Sequence, residues 1–156
     1  MNESLITYLN DHLAGSQFAV SLLADLSTQT NNQGLALFSG KLLREVEEDQ
    51  AALADCLSAV GGEADLWKKA SAWIVQKAGK AKLAIGEPLG QFEAVEMLML
   101  GVTGKLALWD ALKVTACPEL PLTTDQLCSL AQRATDQKDR LETLRIQLST
   151  AALRPA

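Results

Sequence analysis

Apolar side chains recur at alternating steps of three and four residues through four long stretches of the chain, a spacing that an α-helix turns into one continuous face. In the first stretch, from about Ser4 to Leu26, these positions are Leu5, Leu9, His12, Ser16, Ala19, Leu23 and Leu26. From about Gln33 to Val60 they are Leu35, Leu42, Val46, Asp49, Leu53, Cys56 and Val60. A third helix, beginning at Gly86-Glu87-Pro88 and running to about Val114, places Phe92, Val95, Met99, Val102, Leu106 and Trp109 on its stripe. The last, from Thr123 to about Leu153, turns Leu127, Leu130, Ala134, Gln137, Leu141, Leu144 and Leu148 inward. A helix with one apolar stripe buries it only against other helices, so the pattern predicts a bundle. At 1.5 Å per residue each of the first two members is about 35 to 40 Å long.

The punctuation predicts how the members connect. Gly61-Gly62 supplies a left-handed stop after the second helix, Pro88 suits a first helical turn, and Thr123 with Gln126 fits a capping box. Short loops join antiparallel neighbours, whereas residues 63–86 are long enough to return along the bundle as a crossover helix. That segment also differs in charge. Residues 63–83 hold 5 basic and 2 acidic side chains, against 2 basic and 8 acidic in residues 1–62. A solvated face balancing an acidic bundle accounts for those lysines. Two helical hairpins joined end to end make an all-α, ferritin-like four-helix bundle, in one domain spanning 1–156. With 48% of its 156 residues hydrophobic, the chain can bury a sufficient core without disulfides. Cys56, Cys117 and Cys128 accordingly read as free thiols, which fits a reducing, cytoplasmic setting.

Three phrases carry a resemblance: Ile6-Thr-Tyr-Leu-Asn-Asp-His-Leu-Ala-Gly15, Glu45-Val-Glu-Glu-Asp49, and Glu93-Ala-Val-Glu-Met-Leu-Met-Leu-Gly-Val-Thr-Gly-Lys-Leu-Ala-Leu-Trp109. In them the chain resembles uncharacterised bacterial ferritin-like four-helix-bundle proteins. The resemblance implies the fold and carries no activity with it.

Polar residues on the seams concentrate at one height. Antiparallel pairing about a turn near residue 30 brings His12 level with Asp49. A third helix parallel to the second brings Thr103 to that level, and the last hairpin brings Gln137. The expectation is a buried polar layer of His12, Asp49, Thr103 and Gln137, in which His12 and Asp49 form a hydrogen-bonded pair that fixes register. Ferritin-like di-iron proteins hold metal in such a layer, with a Glu from each of two helices and Glu-x-x-His from each of the other two. Here Glu45-x-x-Glu48, Asp136-x-x-Asp139 and Asp139-x-x-Glu142 all lack the closing histidine, and the single histidine lies on the first helix. The layer therefore reads as a degenerate metal site with no cofactor. The alternative is one iron, manganese or zinc ion on His12, Glu45, Asp49 and Glu96.

Other chemistries have no foothold. One histidine and no Gly-x-Ser-x-Gly elbow leave a nucleophilic triad without components, and no Gly-rich phosphate loop follows a strand. A net charge of −5 argues against nucleic acid as a partner, and no stretch is apolar for the twenty residues of a membrane span. The third helix is apolar beyond its stripe. Met97, Leu98, Leu100 and Leu108, with Trp67 and Trp73 of the crossover, are the candidates for a homodimer interface, while Gly101 and Gly104 suit close packing of another backbone. The function expected is that of a non-catalytic, homo-oligomeric structural or interaction protein. A protein partner or an apolar ligand are the other occupants such a surface suits.

Overall fold

The computed structural model describes residues 2–63, 85–115 and 117–154. They form four helices, α1 (Glu3–Ser27), α2 (Gln33–Ala59), α3 (Pro88–Val114) and α4 (Thr124–Leu153), with no strand among the described residues. The expected crossover, with Trp67 and Trp73, lies outside them apart from its ends.

Local chemistry explains the boundaries. The Asn2 and Asn32 side chains accept from the backbone N–H groups of Leu5 and Leu35, at 3.1 and 2.9 Å, filling orphan donors at the starts of α1 and α2. Pro88 occupies the first turn of α3. Thr123 and Gln126 form the full capping box at α4, with bonds of 3.2 and 2.8 Å. At the end of α2, Gly61 adopts φ 83°, and the N–H groups of Gly62 and Gly61 donate to Leu57 O and Ser58 O, at 2.9 and 3.1 Å. This is a Schellman stop, and it requires a residue that enters the left-handed region without strain.

Hydrogen bonds and ion pairs fix the helix directions. Asn31 Nδ2 donates to Gly86 O at 2.7 Å and Gln91 Nε2 to Asn31 Oδ1 at 3.1 Å, so α3 starts beside the start of α2. Further along, Asp49 of α2 meets Lys105 of α3, and the two helices run parallel. Gln137 meets Lys105 while Arg145 meets Glu96, which makes α3 and α4 antiparallel. The helices pack α1 on α2, α3 on α4 and α1 on α3, while long charged side chains bridge α2 to α4.

The core follows the expected stripes at the ends of the bundle and departs from them at mid-height. Leu9, Leu23, Leu26, Leu35, Leu42, Cys56, Val95 and Leu141 are all buried. On α1, however, His12, Ser16 and Ala19 are only half-buried, and Leu13 and Ala14 take the interior instead. The buried row of α3 runs Val95, Leu98, Val102, Trp109 and Leu112, with Met99 and Leu106 half-buried beside it. Leu98 and Leu108, expected on an outer interface, are 3% and 1% exposed and belong to the core. Met97 and Leu100 do face outward. Among the described residues Gly101 and Gly104 are not sites of close helix packing, because a Cβ added at either would meet none of them within 4 Å.

Candidate functional site

The mid-height layer is an ion-pair cluster between α2, α3 and α4. Asp49, 2% exposed, accepts from Lys105 Nζ at 2.5 Å through Oδ2, and from Arg133 through Oδ1, with Nε at 2.9 Å and Nη2 closing the fork. Gln137, fully buried, accepts from Lys105 Nζ at 2.5 Å through Oε1. Its Nε2 donates to Glu45 at 3.1 Å and to Asp49 at 3.4 Å. Arg140 reaches Glu45 at 2.5 Å and Arg133 reaches Glu48 at 2.8 Å. Three carboxylates (Glu45, Glu48, Asp49) thus face three cations (Lys105, Arg133, Arg140). Burial of charge is tolerated on such terms, with each ion paired and hydrogen-bonded.

The protonation chemistry agrees with this geometry. Burial holds the Lys105 ammonium below its ordinary value against the attraction of Asp49. Glu45 is pushed up by burial, but the bonds from Arg140 and Gln137 outweigh that and leave it below its ordinary value. At Arg133 burial is likewise overcome by the bonds to Asp49 and Glu48, so its pKa rises.

Of the four residues expected in the layer, Asp49 and Gln137 are there, and His12 and Thr103 are not. Thr103 is exposed and donates to Met99 O of its own helix at 2.8 Å. The level was right and the face wrong, since two residues along a helix is a rotation of about 200°. Lys105 is the residue that turns inward. His12 packs edge-on against the Tyr8 ring, with centroids 4.6 Å apart, and among the described residues Asp49 takes its partners from α3 and α4. Helical side chains tilt toward their own N-terminus, so in an antiparallel pair those starting level lean in opposite directions. Gln50 displays the offset, because its Nε2 donates to Ser16 Oγ at 2.9 Å and to Gln17 Oε1 at 3.3 Å.

Lys105, Arg133 and Arg140 were missed because a charged residue is normally assigned to the surface. The signal for Lys105 was nevertheless present. Val95, Leu98, Val102, Lys105, Trp109 and Leu112 follow one another at steps of three and four, with the lysine inside the row.

His12 and Asp49 do share a wall. A pocket of about 400 Å³ opens between α1, α2 and α3, lined by His12, Gly15 and Ala19 of α1, Val46, Asp49 and Leu53 of α2, and Gly101, Gly104, Lys105 and Trp109 of α3, among others. Burial pushes the His12 imidazole below its ordinary value, opposed by neighbouring Asp11. Trp109 is 0% exposed, and its Nε1 has no hydrogen-bond partner among the described residues.

Comparison with known proteins adds no relative to this geometry. No protein-family model, curated protein or solved structure matches the chain. The donor set itself speaks to the metal alternative. Of its four ligands, Glu45 bonds Arg140, Asp49 bonds Lys105 and Arg133, Glu96 bonds Arg145, and His12 stands against Tyr8. No group of three or more His, Cys, Asp or Glu suited to one ion occurs among the described residues. Carboxylates already neutralised by cations do not fit a dication. Nor is any helix among the described residues long and apolar enough to cross a membrane.

Proposed function

We propose that the protein is a non-catalytic, homo-oligomeric bundle of ferritin-like topology, an interaction protein whose central layer is a degenerate metal site. The observation that carries this reading is the pairing of Asp49 with Lys105 and Arg133. Cations supplied by the chain itself take up the carboxylates that a metal would need. The topology is supported by Gly86 lying beside Asn31 while α2 ends at Ala59. Two successive helices that run parallel, as α2 and α3 do, need a long connection between them, as the ferritin-like arrangement has. The dimer is supported by Met97 and Leu100, 36% and 74% exposed along one side of α3.

Elemental analysis and sedimentation equilibrium on protein purified without chelators test both parts. The expected result is a dimer without stoichiometric iron, manganese or zinc, and Leu100→Glu is expected to give a monomer that melts as the parent does. Stoichiometric metal that disappears in Asp49→Ala would overturn the degenerate-site reading. A monomeric parent would overturn the oligomeric one.

A further inference from the structure

We draw no further inference here: the strongest candidate, the apolar groove that opens between α1, α2 and α3 beside Gly15, Gly101 and Gly104, lies on the face already given to the proposed dimer, and nothing in the structure shows what covers it.

Discussion

Where α2 faces α4, Glu45, Glu48 and Asp49 each meet an arginine of α4. Where α1 faces α3 at the same height there are three glycines, a half-buried histidine, and a buried indole N–H without a partner among the described residues. Asp49 and Lys105 belong to both settings, forming the ion pair on one side and part of the pocket wall on the other. The contrast teaches that a seam position has no fixed worth. Polar groups on the α4 side close on one another, whereas the α1 side carries small residues beside open space.

The sharpest way to break this contrast is Asp49→Ala. It leaves Lys105 and Arg133 without their buried partner and is expected to lower stability by about 3–5 kcal/mol, read from urea denaturation. A loss below about 1 kcal/mol would mean that the cluster is effectively solvated. Lys105→Met should cost less, about 1–3 kcal/mol, because Arg133 and Gln137 still serve Asp49. Should Lys105→Met prove as damaging as Asp49→Ala, the lysine would be the keystone of the layer rather than one of several donors.

On the pocket side the sign reverses. Gly104→Ala is expected to raise stability by about 0.5–1 kcal/mol, measured as a shift in denaturation midpoint, since the added methyl meets no neighbour among the described residues. Gly62→Ala is the control, because its Cβ would lie 2.1 Å from Leu57 Cδ1 and should destabilise. The smallest effect is that of pH on His12. Its folded pKa lies below the ordinary value of 6.5, so the unfolded chain binds the proton more readily. Stability should therefore fall as pH drops through 6.5 toward the lower folded value, and His12→Gln should flatten that slope. An unchanged slope in the variant would place the imidazole in solvent.

Helix by helix, much of this was legible in the chain. The caps at Thr123 and Gly61, the first-turn Pro88, and the ends of all four helices follow from local rules, because the groups that start or stop a helix lie within a few residues of one another. The site was only half legible. Asp49 and Gln137 were found because polar residues stand out on apolar rows. Lys105 was hidden by the opposite habit, an apolar residue at position 106 being preferred over a charged one at 105, although either maintains the spacing. Thr103 and His12 were assigned by level alone, and level does not determine which way a side chain faces.

The sequence by itself determined the four long helices of the described residues, about where each begins and ends, and that polar groups would gather at mid-height. Those facts depend on periodicity and on caps that act within a turn. Tertiary structure alone decided which cations meet Asp49, that His12 belongs to a pocket wall, and that Gly15, Gly101 and Gly104 face one space. Residues 49, 105 and 133 are brought together by the rotation and register of three different helices, and a shift of one residue turns a side chain through about 100°. No local spacing encodes that angle; packing of the whole bundle sets it.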